Sequence, residues 1–292
     1  MNKDKTNYLT VKDHSVSGET FQLLYNEELD MLETFPQPTE DKLSEYYKTE
    51  DYISHTDTQR NLFEKVYHWV RDVSLDRKLK LINSFPVQQV RDKNFKERKL
   101  LDIGCGTGDF LKKAKDNDWI VSGIEPNEKA RKIANSKTNN SVLKTEHLLK
   151  FETNSFDVIT LWHVFEHLPN IEEYIQIIRK LLKDTGVLII AVPNYKSYDA
   201  KFYKSFWAAY DPPRHLWHFS RTSISSLLEK FNFRLEKMLP MKFDAFYVSL
   251  LSEKYKTGWM NIFRAFLIGL TSNLKAMSSK EYSSIIYILK NK

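Results

Sequence analysis

One stretch constrains the fold of this chain more than any other: residues 99–110, KLLDIGCGTGDF. Leu100, Leu101 and Ile103 make an apolar run that fits a buried strand. Gly104, Gly106 and Gly108 then interrupt it. Glycine opens backbone conformations closed to other residues and lets a ligand approach the main chain. Phe110 and Leu111 supply the first apolar positions of a helix that starts near Thr107 or Asp109. A parallel strand that turns through glycines into a helix leaves free N–H groups at the carboxyl edge of a sheet. That edge is where open α/β sheets bind nucleotide-like ligands.

The dinucleotide fingerprint G-x-G-x-x-G brings backbone against a pyrophosphate. Gly104 and Gly106 satisfy it, but Asp109 stands at the third position and Asp102 ends the strand. Carboxylates repel a pyrophosphate and suit a ligand that carries an ammonium or sulfonium group. The spacing is instead [DE]-x-G-x-G-x-G, which closely resembles motif I of the class I S-adenosylmethionine-dependent methyltransferases. The competing reading is an ordinary strand–turn–helix.

At 292 residues the chain has room for one large domain, or for a domain and a smaller lobe. A hydrophobic share of 41% supports a real core and excludes global disorder. The net charge of +6 is concentrated locally. Residues 71–100 carry nine Lys/Arg against four Asp/Glu, and residues 251–292 carry seven against two. A solvated helix face explains each patch; a groove for a phosphate-bearing or lipid partner is the sharper alternative. Cys105 is the single cysteine, so neither a disulfide framework nor a cysteine zinc cluster is expected within the chain. Its place inside the glycine turn reads as packing rather than nucleophilic chemistry. No apolar segment resembling a signal peptide or a membrane span is visible, which makes cytoplasmic the expected location.

Read in order, residues 1–60 form a small N-terminal lobe: strand candidates Phe21–Tyr25 and Met31–Thr34, then a short helix over Asp41–Tyr47. This part resembles the segment of bacterial methyltransferases in which a small zinc-ribbon-like hairpin precedes the catalytic domain. Cysteines would stand near Asn26 and Leu29 in such relatives, so a hairpin here is expected to hold no metal. Residues 61–98 show apolar positions at helical spacing and read as a helical lead-in; the resemblance implies that Tyr67, His68 and Trp69 cover the cofactor or substrate, while core packing is the expected role of Trp69. From residue 99 onward, strands alternate with helices. Strands are expected at 100–104, 119–124, 142–145, 156–162, 186–192, 233–238 and 284–290, and helices at 109–117, 128–136, 171–183 and 224–231. Near-continuous apolar strands between helices predict an α/β fold: a Rossmann-like, seven-stranded, mostly parallel sheet covered on both faces. The resemblance adds an antiparallel last strand. The domain is expected to span 99–292, with a lid or insert at 195–220 and a helical insert at 244–275. The aromatic segment 195–220 reads as a lid or substrate wall. The stripe Trp259, Ile262, Phe263, Phe266, Leu267 and Leu270 reads as a face packed on the domain or on a partner subunit, with membrane-surface contact the lesser alternative.

The resemblance assigns residues to a cofactor site. Glu125, at the end of the second strand, would accept both ribose hydroxyls, and Pro126 would line the adenine. Asp102 would face the methionine end, and Gly104, Cys105, Gly106, Thr107 and Gly108 would shape the turn. Glu146 and His147 would contact the adenine, and Leu161 and Trp162 would wall the transferable methyl. The blocks FDVI…EHLPN and DPPRHLWHFS also resemble segments of such enzymes. A hydroxyl acceptor usually needs a base, for which imidazole is suited. His163, His215 and His218 are candidates, with Asp211 as an orienting group. Tyr210, Arg214, Trp217 and His218 are candidate substrate contacts. Rigid loop packing is the competing reading for these residues, and for Glu166 and His167.

The sequence therefore points to transfer of a methyl group from S-adenosylmethionine, leaving S-adenosylhomocysteine, with no metal expected. The expected acceptor is a small molecule, in the first instance a hydroxyl of a sugar, a lipid precursor or a natural-product-like compound. The rivals are a non-catalytic scaffold that keeps the fold, a methyltransferase acting on RNA or protein, and a nicotinamide oxidoreductase. The missing third glycine argues against the last, and no [DN]-P-P-[YFW] motif follows the fourth strand to support nucleic-acid amino-methylation. A homo-oligomer is compatible with the sequence.

Overall fold

The computed structural model describes residues 6–47, 62–85 and 97–292. The parts of the expected lead-in and N-terminal lobe at 86–96 and 48–61, and the side chain of Tyr67, lie outside the described residues. A seven-stranded sheet forms the centre of the molecule. Its strands are β4 (Arg98–Ile103), β5 (Trp119–Ile124), β6 (Val142–Leu143), β7 (Phe156–Trp162), β8 (Leu182–Pro193), β10 (Phe233–Pro240) and β11 (Ser284–Asn291). They are ordered β10-β11-β8-β7-β4-β5-β6. β4 to β8 run parallel, and β11 is antiparallel to both of its neighbours.

Every residue of β7 is buried, as expected for a central strand covered on both faces. Alternation sends Leu101, Ile103, Ile159 and Leu161 to one face. There they pack under α5 (Ile171–Leu181) and α7 (Ser223–Glu229). Leu100, Val158 and Trp162 face the other side. That layer holds α2 (Leu62–Asn83), α3 (Asp109–Lys115) and α4 (Glu128–Thr138). Helix α2 is tied to α3 by the ion pairs Arg71–Asp109 and Lys113–Asp76. Trp69 differs from its expected role in the core: it is 60% exposed and meets Phe243 edge-on at 6.3 Å. The face of α2 that enters the core is the one carrying Leu79 and Ile82.

A second, antiparallel sheet contains β1 (Thr6–Lys12), β2 (Thr20–Asn26) and β3 (Met31–Phe35), and its fourth strand is β9 (Trp217–Phe219). β1 is too polar (TNYLTVK) to signal a strand, and β9 is too short. In the β2–β3 turn the Asn26 side chain accepts the Leu29 N–H at 3.1 Å, so an amide closes the hairpin where a cysteine was expected in relatives. α1 (Glu40–Leu43) follows this hairpin, and α6 (Tyr198–Tyr203) opens the segment after β8. The 195–220 segment, expected as a lid or substrate wall, is built into the fold. Its aromatics Tyr195, Tyr203, Trp207 and Tyr210 are the core beneath the small sheet, and its end supplies β9.

α8 (Asp244–Thr257) and α9 (Ile262–Ser279) pack on each other. α9 buries its small residues, Ala265, Gly269, Ser272 and Ala276. Its large apolar residues face outward, Phe263 being 86% exposed. No helix among the described residues is long and apolar enough to cross a membrane.

Candidate active site

The glycine turn sits at the carboxyl edge between β4 and β5. Gly104 N–H and Cys105 N–H both donate to the Ile124 carbonyl, at 2.7 and 3.1 Å, carrying the strand pairing into the turn. Gly104 has φ +72, and a Cβ there would lie 2.3 Å from Val164, so the turn is clamped from above. Gly106 has φ +56, and a Cβ there would meet nothing within 4 Å. Space is open over this left-handed glycine, so the turn presents bare main chain there as a cradle.

Glu125 stands beside the cradle and is 2% exposed. One carboxylate oxygen accepts the Gly106 N–H at 2.8 Å, and the other accepts the Asn127 N–H at 2.9 Å. Burial raises the pKa of this carboxyl, against the pull of those two N–H groups. Each oxygen keeps a second lone pair for a ligand hydroxyl. Asp102 lies on the α2/α3 face beside its β7 register partner Thr160, whose hydroxyl donates to it at 2.6 Å. Burial pushes the Asp102 carboxyl up to about 7, against that hydrogen bond and the nearby Lys78 ammonium. Lys78, from α2, lies over the Trp162 ring at 4.5 Å. It forms a cation site over an aromatic face, within electrostatic reach of Asp102 and Asp244.

Thr107 donates to Asp109 at 2.8 Å and fixes the helix start. Burial, with Asp102 and Glu125 nearby, raises the Cys105 thiol, which stays protonated as a packing group should. Pro126, Glu146 and His147 follow the ends of β5 and β6, and Glu125 N–H donates to the Leu143 carbonyl at 3.0 Å. Trp162 faces the α2/α3 layer, whereas Leu161 packs in the core under α5, away from the place expected of a wall to the methyl group.

His163 directly follows β7, with φ +56. Its Nε2 is 3.0 Å from Asp244, and its Nδ1 is 3.5 Å from Glu166. Burial alone would lower its pKa; the two carboxylates outweigh that and push it up to about 10.

The other candidates lie in a second group. Arg214 donates to Asp211 at 2.5 Å and to Ser15 at 3.3 Å. His218 Nε2 is 3.0 Å from the Thr34 hydroxyl, and burial brings it down to about 3. Burial, and then His167 beside it, holds His215 well below the usual imidazole range. Tyr210 is buried against Trp207. Trp217 donates to the Leu168 carbonyl at 2.8 Å and lines a groove of about 440 Å³ with residues of β3 and the start of α5. These side chains join the small sheet to the post-β7 loop; they do not converge with Glu125, Asp102 and Trp162. Sequence reading missed Lys78 and Asp244. Lys78 was hidden in a charged run, and Asp244 lies 81 residues after its partner His163.

The glycine turn after β4, Glu125 beyond the end of β5 and Asp102 on β4 are thus brought to one edge of the parallel sheet. Residues 75–238, more than half of the chain, match the family model described as a methyltransferase domain, and the chain belongs to that family. It therefore carries an S-adenosylmethionine-dependent methyltransferase domain. Among curated proteins it is similar to a protein of Glaesserella parasuis serovar 5 (strain SH0165) named ubiquinone biosynthesis O-methyltransferase, with 32% identity over 146 residues, 45% of this chain and 62% of that one. A protein of the same name from Pelagibacter ubique (strain HTCC1062) is 33% identical over 126 residues, 40% of this chain and 52% of that one. The match thus covers less than two thirds of either relative. In fold, the chain resembles magnesium protoporphyrin IX methyltransferase from Synechocystis PCC 6803 with bound S-adenosylhomocysteine. That comparison has a TM-score of 0.53 and 15% identity, over 83% of this chain and 94% of that one. It also resembles a methyltransferase from Archaeoglobus fulgidus, with a TM-score of 0.51 and 20% identity, over 79% and 98% of the two chains.

Proposed function

We propose that the protein methylates an oxygen of a small-molecule acceptor. The observation that carries this is the Glu125 carboxylate fixed by Gly106 N–H and Asn127 N–H beside an open main-chain cradle. The residues present fit S-adenosylmethionine. Glu125 would hold the ribose, the Gly104–Gly108 turn would carry the middle of the ligand, and Pro126, Glu146 and His147 would border the adenine. Asp102 would face the cationic end. When bound, the cofactor supplies a methyl group on a sulfonium, ready for in-line displacement. The chain itself supplies position and exclusion of water.

The acceptor reading rests on an aromatic pair at the surface: Trp69 meets Phe243 edge-on, and the Arg77 guanidinium lies 4.8 Å from the Phe243 ring. An aromatic pair with a cation suits an apolar acceptor bearing a hydroxyl, as in a lipid precursor or a natural-product-like compound. The O-methyltransferase names of the two relatives support oxygen as the methylated atom. Both ring nitrogens of His163 face carboxylates, so His163 positions Asp244, and Asp244 receives the hydroxyl proton. His215 and Asp211 act on the architecture of the adjoining segment.

The test is methyl transfer from labelled S-adenosylmethionine to a panel of hydroxylated acceptors. Calorimetric binding of S-adenosylhomocysteine to wild type, Glu125→Ala and Asp244→Asn accompanies it. Binding lost only in Glu125→Ala, with turnover lost in both variants, is the expected outcome. Binding without turnover on any acceptor would favour the scaffold reading.

A further inference from the structure

Glu166 lies in the single helical turn Phe165–His167 that follows β7. It is 1% exposed, and neither carboxylate oxygen takes part in a hydrogen bond among the described residues. His163 Nδ1 stands 3.5 Å away, outside the usual N–H···O range of about 2.7–3.2 Å. His163, held protonated between Asp244 and Glu166, supplies one positive charge, but both Glu166 oxygens stay without a hydrogen bond, which leaves part of their desolvation cost uncompensated.

Two imidazoles stand beside it. His167 Nδ1 is 3.0 Å from the Arg214 carbonyl oxygen and 3.0 Å from the Tyr47 hydroxyl. A carbonyl only accepts, so Nδ1 carries the proton and Nε2 carries the lone pair. His215 repeats the arrangement, with Nδ1 2.9 Å from the Ala209 carbonyl. The two rings cross edge-to-face with centroids 4.5 Å apart. One ligand atom from each of Glu166, His167 and His215 lies within 4.8 Å of the other two. Metal-bound histidines almost always donate their second N–H to a carbonyl or carboxylate, which fixes the tautomer and the ring orientation. Both histidines do so here.

We propose that Glu166, His167 and His215 form a binding site for a divalent transition cation, with zinc the best match to two imidazoles and a carboxylate. Tetrahedral bonds of about 2.0–2.1 Å set neighbouring ligand atoms about 3.4 Å apart, inside the 4.8 Å that bounds the separations here. Three protein ligands leave a fourth position open. The site joins two segments already hydrogen-bonded to each other, since Leu216 N–H donates to the Glu166 carbonyl at 2.8 Å. The proposal does not depend on which acceptor is methylated, although Glu166 also pairs with His163.

The full chain, stripped of metal with a chelator and dialysed, is titrated with Zn²⁺ in competition with a chromophoric chelator. Thermal unfolding is followed in parallel, and Co²⁺ is substituted for its visible absorption. The expected result is one equivalent bound, a rise in Tm and cobalt bands of N/O coordination. Affinity falls at least 100-fold in Glu166→Gln and in His215→Gln, while S-adenosylhomocysteine binding shows that each variant is folded. Failure of folded wild type to bind one equivalent would overturn the proposal, whatever the variants do. So would weak binding, of several ions, that both variants retain.

Discussion

Gly106 and Gly108 have similar backbones, with φ +56 and +77, but different surroundings. A Cβ on Gly106 meets nothing within 4 Å, whereas one on Gly108 would lie 2.8 Å from Ala134 Cα, in the backbone of α4. Alanine at either position incurs about 1–2 kcal/mol of left-handed strain. Gly108→Ala adds overpacking of about 1–3 kcal/mol, because helix backbone cannot yield as a side-chain tip can. The totals are about 1–2 and about 2–5 kcal/mol. At about 2–4 °C per kcal/mol for a chain of this size, Tm falls by about 2–8 °C for Gly106→Ala and about 4–20 °C for Gly108→Ala. Binding reverses the order. The Gly106→Ala methyl occupies the cradle and weakens S-adenosylhomocysteine at least about tenfold, or 1.4 kcal/mol. Gly108→Ala, measured at a temperature where it is folded, binds within about threefold of wild type by the same scale. Scanning calorimetry and isothermal titration on both variants provide the test. Wild-type affinity in Gly106→Ala would refute the cradle assignment.

Three further outcomes are expected. Because Asp102 titrates near 7 and a cationic ligand favours its charged form, adenosyl-ligand affinity should rise from pH 5 to pH 7 and then level off. Asp102→Asn should flatten that rise, and a wild-type profile without slope would count against the acid's role. Asp199 is fully buried and accepts from Trp207 Nε1, Ser272 Oγ and Ser283 Oγ at 2.6–2.7 Å. Asp199→Ala strands the indole donor and should cost about 3–5 kcal/mol in a denaturant melt. On α9, Gly269→Val drives a side chain into Phe246 and Ala245 and should cost at least about 2 kcal/mol. Phe263→Ser, on the exposed row, should stay within about 0.5 kcal/mol by the same measurement.

The central sheet was legible because its signal is local. β5 and β7 begin and end where their apolar runs do, and the glycines between β4 and α3 leave little choice of turn. Glu125 was legible for the same reason, since a fixed spacing ties it to the turn. The small sheet was not. β9 is three residues long, and its partner β3 lies more than 180 residues earlier in the chain. The DPPRHLWHFS segment has polar and aromatic groups suited to binding, and sequence does not reveal that Thr34 and the post-β7 loop engage them. The stripe on α9 shows the same limit: periodicity finds the row of large residues but not that Ala265, Gly269, Ser272 and Ala276 form the buried side. The place of His163 between two carboxylates also depended on a helix that arrives late in the chain.

The β3–β9 pairing carries a consequence for the order in which the molecule assembles. The Thr34 hydroxyl donates to the His215 carbonyl at 2.6 Å across a sequence separation of 181 residues. Closing a free loop of that length costs about 4–5 kcal/mol of chain entropy. Folding of β4 to β8 into the parallel sheet removes most of that cost by bringing the two ends together beforehand. The hairpin of β2 and β3 therefore waits, with one edge unpaired, until residues beyond 219 have been made and the core has formed. Opening runs in reverse. Release of β3 comes before the parallel sheet is disturbed, and amide exchange should find Thr34, whose N–H donates to the Leu216 carbonyl, unprotected while β7 still holds its protons.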